Sequence, residues 1–210
     1  MAYIGSKPAD KPVVASDLDP TIITGQTALA TAPADTDEFL ISDAGTLKRI
    51  DYSYIKTASA VVDLFRLSAN ATGDQNPISS NWERADTDGA GVIGTGMTES
   101  SGVFSFPSTG IWRIEFIGYF YYNGDNRGIA NEIITTTDGS SFDRASSSGV
   151  FIQQTSSNNT YSGGYCTFIM DVTSTSTHKV KFRAGATSVV VVGATGDNTT
   201  HAVFTRLGDT

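Results

Sequence analysis

The segment IWRIEFIGYFYY, residues 111–122, decides the fold class. Successive side chains of a β-strand point to opposite sides of the sheet, so this segment has two distinct faces. One face is apolar and aromatic throughout, which suits the core of a β-sandwich; it carries Trp112, Ile114, Phe116, Phe120 and Tyr122. The other face changes from charged to aromatic along the strand; it carries Ile111, Arg113, Glu115, Ile117, Tyr119 and Tyr121.

The second face of this strand predicts contact with another subunit. A strand that is apolar on both faces must be covered on both. In one sandwich of modest size, the second cover is either a loop of the same chain or another subunit. Aromatic side chains are enriched in the cores of interfaces, which favours the subunit. The candidate interface residues are Ile117, Tyr119, Tyr121 and Phe204.

After about residue 61, the chain has the residue pattern of an all-β domain. Short runs rich in Val, Ile, Phe, Tyr and Thr alternate with clusters of Gly, Ser, Asn and Asp, which is typical of a sandwich or barrel. The pattern predicts ten strands, near 62–69, 80–85, 97–106, 110–122, 127–137, 148–154, 162–172, 178–185, 188–194 and 200–207. The glycines are expected at turns and strand ends.

Composition limits the class of protein. The chain has 210 residues, a hydrophobic content of 39% and a net charge of −8. No apolar run approaches the roughly 20 residues that a membrane-spanning helix needs, so we expect no membrane insertion. The 14 Lys and Arg residues are scattered along the chain, with one adjacent pair at residues 48–49, whereas a nucleic-acid interface needs them clustered. Residues 1–5 lack the pattern of a secretory signal, and we expect none.

Cys166 is the single cysteine of the chain. No intrachain disulfide is therefore possible, and stability must come from the core and from association. Cys166 lies in the apolar run 165–170. The residue is predicted to be a small core hydrophobe and not a reactive thiol.

Residues 1–60 differ in character from the rest. Four of the six prolines lie before residue 34, and the spacing of apolar residues has neither a helical nor a strand period. Such a segment buries too little apolar surface to fold alone. It is either a disordered tail or an extended arm that orders against another surface, and we expect the arm. The candidate anchoring residues are Tyr3, Ile4, Val13, Val14, Ile22, Ile23, Phe39 and Ile41.

A small β-hairpin is predicted within this arm, over residues 37–50. Residues 39–41 form one strand and residues 46–50 the return strand, with Gly45 taking positive φ in the turn between them. A hairpin alone is marginal in water, so it should dock on something. Residues 51–60 are predicted to form a short helix with Asp51 as a possible N-cap.

Two segments of the head resemble a known superfamily. The stretch GVFSFPSTGIWRI, residues 102–114, resembles the F-x-x-P-x-x-G-x-Y-x-F core of the complement/tumour-necrosis-factor globular head, with Trp112 replacing the usual tyrosine. The closing AVFTRLG, residues 202–208, resembles that family's last strand. The resemblance spans residues 62–208. It implies a jelly-roll β-sandwich of about ten antiparallel strands that forms a homotrimer around a hydrophobic axis.

The N-terminal region resembles structural proteins of tailed phages. The residues behind this resemblance are MAYIG, 1–5, and DEFLISDAGTLKRID, 37–51. It implies a virion protein that is made in the host cytoplasm and anchored by residues 1–60, with residues 61–210 as the jelly-roll head. The implied partners are the phage major capsid protein or tail and neck proteins. No collagen-like Gly-X-Y repeat is present.

The sequence contains few candidate catalytic residues. Nucleophilic catalysis needs a base beside the nucleophile; His178 and His201 are the two histidines, and both are interpreted as strand-edge residues. Polysaccharide cleavage needs two carboxylates at a defined separation; the candidates by residue type alone are Glu83, Glu99, Glu115 and Glu132. We expect no enzymatic activity and no cofactor.

Calcium is the one metal that the sequence admits. Asp86 and Asp88 are closely spaced carboxylates in a turn, and calcium prefers oxygen ligands. The full twelve-residue loop with its terminal Glu is missing. An Asp-Gly pair also occurs in β proteins for conformational reasons alone, which is the alternative here.

The sequence is compatible with three functions. The first is a trimeric virion structural protein that decorates or cements the capsid or forms a short head fibre. The second is a tail-fibre module that recognises a host surface glycan, with Tyr161 as the candidate sugar platform. The third is a depolymerase with a buried carboxylate pair.

Overall fold

The computed structural model describes residues 24–25, 27–55 and 60–210. The chain divides into two compact units, Met1–Thr57 and Ala58–Thr210. The strands in chain order are β1 (Glu38–Asp43), β2 (Thr46–Asp51), β3 (Val61–Leu67), β4 (Ala71–Thr72), β5 (Trp82–Arg84), β6 (Thr98–Ser100), β7 (Val103–Ser105), β8 (Gly110–Tyr122), β9 (Asn126–Thr136), β10 (Asp143–Ser147), β11 (Val150–Ile152), β12 (Thr160–Val172), β13 (Lys179–Gly185), β14 (Val190–Val191) and β15 (His201–Gly208). None of the helical segments in the described residues is long and apolar enough to cross a membrane.

The first unit contains the predicted hairpin, which is confirmed. β1 and β2 pair antiparallel, and the turn between them places Ala44 and Gly45 at φ of 49° and 83°. Of the short helix predicted over 51–60, the described part contains a three-residue 3₁₀ helix at Tyr52–Tyr54, with Asp51 at its N-cap position. Asp51 ends β2, and its side chain makes no capping hydrogen bond.

The second unit is a sandwich of two antiparallel sheets. The seven-stranded sheet runs β4-β14-β8-β15-β3-β5, with β12 on the other edge of β8. The six-stranded sheet runs β10-β9-β13-β7-β6, with β11 also paired to β9. The principal strands pair in nested order: β3 with β15, β7 with β13, β8 with β12, and β9 with β10 and β11. First-with-last nesting across two sheets is the jelly roll, and the predicted fold class is confirmed.

Aromatic rings fill the space between the sheets. Trp112, Phe116 and Phe120 of β8 are fully buried there, so the predicted core face of this strand is confirmed. Phe116 stacks on Phe182 of the opposite sheet with 4.7 Å between ring centroids. Trp82 meets Phe104 edge-on at 5.3 Å. Edge-on and stacked pairs of this kind add stability beyond the area that they bury.

The observed strands differ from the predicted ones in two respects. The single strand expected over 97–106 is a hairpin of β6 and β7, because Ser101 and Gly102 take positive φ and reverse the chain. β10 and the two-residue β4 were not predicted. β10 has the sequence DRASS, which lacks the branched and aromatic residues that signal a strand.

Cys166 lies in the core as predicted, on β12. Its thiol makes weak contacts with the side chain and carbonyl of Asn131, at 3.7 and 3.6 Å. Burial raises the pKa of the Cys166 thiol to about 12, so the reactive thiolate is scarce at neutral pH.

Not all glycines lie at turns, which corrects that expectation. Gly118 of β8 and Gly164 of β12 are directly opposed in mid-strand. They face Asn131, a fully buried side chain of the other sheet that donates to Ser148 Oγ at 2.9 Å. A Cβ on Gly164 would lie 2.5 Å from Val150 Cγ2 and 2.9 Å from Asn131 Nδ2. The glycine pair therefore makes room for this buried amide.

Gly164→Ala should lower the free energy of unfolding by about 1–3 kcal/mol, because the added methyl overpacks the core. Gly163→Ala is the matched control, since its Cβ would have its nearest neighbour at an ordinary 3.5 Å. The control should stay within about 0.5 kcal/mol of wild type. Urea unfolding at one protein concentration measures both. Equal effects of the two substitutions would contradict the packing described.

Candidate functional site

The candidate site is the outer face of the seven-stranded sheet. The register of β8 and β12 places their odd-numbered residues on this face, opposite to the core. β15 lies along the other side of β8 and pairs His201 with Ile117 and Val203 with Glu115. The face is thus built from three neighbouring strands, and the predicted outward positions of β8 lie on it together.

Three tyrosines form a cluster at one end of this face. Tyr161 of β12 lies opposite Tyr121 of β8. Its ring stacks on Tyr119 with 5.6 Å between centroids and contacts Tyr121 at 5.3 Å. Sequence analysis assigned Tyr119 and Tyr121 to an interface and Tyr161 to a sugar site, whereas the structure brings all three into one cluster. Their shared location follows from the cross-strand register, which the sequence does not display.

Apolar side chains continue from this cluster along β12. Tyr161, Tyr165 and Ile169 are 53%, 48% and 52% exposed, although each carries a large apolar surface. β12 is 13 residues long, and in the described part of the chain it pairs with β8 along one side and with no strand along the other. A long, exposed, apolar edge strand is a surface that proteins normally cover. Sequence analysis did not single out Tyr165 and Ile169.

The opposite end of the face carries a polar network. Arg113 Nη2 donates to Glu115 Oε1 at 2.6 Å. The Tyr165 hydroxyl donates to the same Glu115 oxygen at 2.8 Å. Contact with Tyr165 and the charge of Glu115 raise the pKa of Arg113, so its guanidinium stays charged at all ordinary pH values. This face therefore has an aromatic end and an ionic end.

Phe204 does not belong to this face, which corrects its assignment to the interface. It is fully buried and lies 5.1 Å from Phe104 and 5.9 Å from Phe182 between ring centroids. Phe204 pairs with Ile114, a core position of β8, so it points inward with it. Ile117, Tyr119 and Tyr121 remain candidates, with Tyr119 exposed and the other two half-buried.

The candidate anchoring residues fall into two groups. Tyr3, Ile4, Val13, Val14, Ile22 and Ile23 lie outside the described residues. Phe39 and Ile41 lie on one face of the β1–β2 hairpin, and the Phe39 ring is 6.1 Å from that of Tyr52. The other face exposes Leu40 and Leu47 almost fully. The hairpin thus carries apolar side chains on both faces.

The proposed calcium ligands have other roles in the structure. Asp86 Oδ1 accepts a hydrogen bond from Arg66 Nη2 at 2.8 Å, and a guanidinium there disfavours a second cation. Asp88 and Gly89 take φ of 55° and 81° in a tight turn closed by Ala90 N and Thr87 O. The conformational alternative accounts for this Asp-Gly pair. The described residues contain no cluster of three or more potential metal ligands.

Each of the four candidate catalytic carboxylates accepts a hydrogen bond from a different partner, and Glu83 and Glu99 line one open pocket. Glu83 accepts from Arg66, Glu99 from the backbone N–H of Gly102, Glu115 from Arg113, and Glu132 from Arg144. The rings of the two histidines contact threonines: His178 contacts Thr173 and Thr177, and His201 contacts the carbonyl of Thr199.

The chain is similar in structure to several solved proteins. No protein-family model matches the chain, and no curated protein matches it. The structure of Eiger TNF from S. frugiperda is 12% identical with a TM-score of 0.49 and covers 73% of this chain and 96% of that one. Murine APRIL at pH 8.0 is 10% identical with a TM-score of 0.48 and covers 70% and 99%. Both are jelly-roll heads of the tumour-necrosis-factor family. The fold assignment given above rests on the strand pairing.

Proposed function

We propose that this chain is a non-enzymatic structural protein of a tailed-phage virion whose jelly-roll head assembles as a homotrimer. The observation that carries the assembly is the exposed apolar face of β8 and β12. Tyr161, Tyr165 and Ile169 lie in a row along β12, and Tyr119 of the neighbouring β8 stacks on Tyr161. Such a contiguous patch on a soluble head is characteristic of a protein interface.

The chemistry of the face suits a second and a third copy of the same chain. Aromatic rings contribute a large contact area with little loss of conformational entropy, and they are enriched in interface cores. The Arg113–Glu115–Tyr165 network at the other end supplies charges that fix the alignment of the copies. The three-fold arrangement follows the resemblance of residues 102–114 and 202–208 to globular heads that trimerise.

The virion assignment is supported by the first unit and its resemblance to tailed-phage proteins. The β1–β2 hairpin exposes Phe39 and Leu40 on opposite faces, so both faces gain stability from burial against a larger surface. Burying each such side chain contributes about 1.5–3 kcal/mol. The arm of residues 1–60 would anchor on the major capsid protein or on tail or neck proteins.

Purified full-length protein should have a mass three times the 22.2 kDa of one chain. Ile169→Lys should convert it to monomers, because it places a second positive charge directly opposite Arg113 in the interface core. Phe151→Lys is the matched control, since Phe151 is also exposed, at 66% against 52% for Ile169, but lies on the other sheet. Light scattering with native mass spectrometry measures all three. A monomeric wild type, or trimers of both variants, would contradict the proposed interface.

Virions of the phage that encodes this chain should carry it on the capsid. Cryo-electron microscopy of wild-type particles should show three-fold knobs at capsid three-fold sites, and these should vanish from particles lacking the gene. Density confined to the tail would exclude decoration and favour the fibre.

A tail-fibre module that binds host glycan is the second candidate, and one observation favours it. The half-exposed Tyr161 ring stacks on Tyr119 and makes an aromatic platform. On this reading Tyr161→Ala should abolish binding on a glycan array and reduce phage adsorption, whereas Leu207→Ala, at another exposed apolar site, should change neither. Unchanged adsorption of the Tyr161 variant would exclude this platform.

A further inference from the structure

A separate pocket lies on the other sheet, at the end where the β8–β9 turn meets the end of β11. It has a volume of about 320 Å³ and is lined by Asp125, Arg127, Phe151, Ile152 and Gln153. This volume is at the lower end of the range for small-molecule sites. Its lining contains a carboxylate, a guanidinium and an amide around one aromatic ring.

The ring of Phe151 is the apolar part of this pocket. Phe151 is 66% exposed, whereas its neighbours Val150 and Ile152 are buried. The alternation shows that β11 turns Phe151 outward while anchoring on both sides of it. Held outward beside the polar groups of the pocket, the Phe151 ring offers an apolar surface on which a ligand can pack.

The polar part of the pocket is held in place on one side. Asp125 Oδ1 accepts the backbone N–H of Gln154 at 2.7 Å, and the Gln154 side chain donates to Asn123 Oδ1. These bonds tie the β8–β9 turn to the segment after β11 and leave Asp125 Oδ2 available. The position of the carboxylate is therefore set before any ligand binds, which reduces the entropic cost of binding.

Arg127 supplies donors that no neighbour uses. It is exposed, and it makes no ion pair or side-chain hydrogen bond with any residue that the structure describes. Other arginines of the head are engaged by carboxylates: Arg66, Arg84, Arg113, Arg144 and Arg183. A free guanidinium beside a free carboxylate oxygen offers several donors and an acceptor within one small pocket.

We propose that this pocket binds a saccharide. A pyranose ring presents a flat C–H face that packs on an aromatic ring, and vicinal hydroxyls that both donate and accept. Phe151 would pack against the C–H face, Arg127 and Gln153 would donate to ring hydroxyls, and Asp125 Oδ2 would accept from them. Strands β9 and β11 belong to the six-stranded sheet, whereas the tyrosine face belongs to the seven-stranded sheet, so the two sites share no residue.

The experiment uses the full-length wild-type protein on an array of neutral and uronate-containing oligosaccharides, with the affinity of the best hit then measured by saturation-transfer NMR. Phe151→Ala and Arg127→Ala should each weaken binding by about tenfold or more, which corresponds to about 1.4 kcal/mol. Phe151→Tyr should bind like wild type because it keeps the ring. Arg144→Ala, an exposed arginine of the same sheet outside the pocket, should also bind like wild type.

An array without hits, or undiminished binding by Phe151→Ala, would overturn the proposal. Light scattering of the same samples separates this result from the proposed assembly. Loss of saccharide binding with an intact oligomer supports the pocket, and so does the same loss in a protein that proves monomeric. Loss of binding by Tyr161→Ala with retention by Phe151→Ala would move the saccharide to the tyrosine platform and overturn the pocket.

Discussion

The structure depends on the pairing of β8 with β12. The two strands run opposite each other along the full length of both, from Gly110 with Val172 to Tyr122 with Thr160. Because side chains alternate, this single register sends one aromatic set into the core and gathers a second set on the outer face. A slip of one residue would exchange the two faces and bury Arg113 and Glu115 while exposing Trp112.

The period-two pattern of residues 111–122 predicted the core face of β8 and the fold class, because alternation is a local property of the chain. Features that depend on the register between two strands could not be predicted from the pattern of one strand. The meeting of Tyr161 with Tyr119 needs the alignment of two strands about 40 residues apart. Phe204 was placed on the wrong face for the same reason, since its direction follows from its pairing with Ile114.

The packing around the buried Asn131 side chain could not be predicted from the sequence pattern either. In the sequence, Gly118 and Gly164 resemble ordinary strand interruptions. In the structure, they leave the space that the Asn131 amide occupies. The turn at Asp88-Gly89 agrees with the conformational reading of its residue types. The turn at Ser101-Gly102 was missed, because it lies inside an apolar stretch that predicted one strand over 97–106. Short strands such as β10 lack any apolar signal, so only tertiary pairing reveals them.

The two sheets of the head divide the proposed roles between them. The seven-stranded sheet presents an apolar face that self-association would cover, whereas the six-stranded sheet carries the Phe151 pocket in the open. Self-association through that face would hide the tyrosines, and no residue that lines the pocket belongs to the tyrosine face.

Hydroxyl-radical footprinting of the native protein in solution tests the central claim most directly. In a single chain the rings of Tyr161 and Phe151 are both more than half exposed, at 53% and 66%. If the outer face of β8 and β12 is covered by other copies, Tyr161 and Tyr165 will resist oxidation while Phe151 is oxidised readily. Oxidation of Tyr161 as fast as Phe151 would show that the face is bare and would contradict the account.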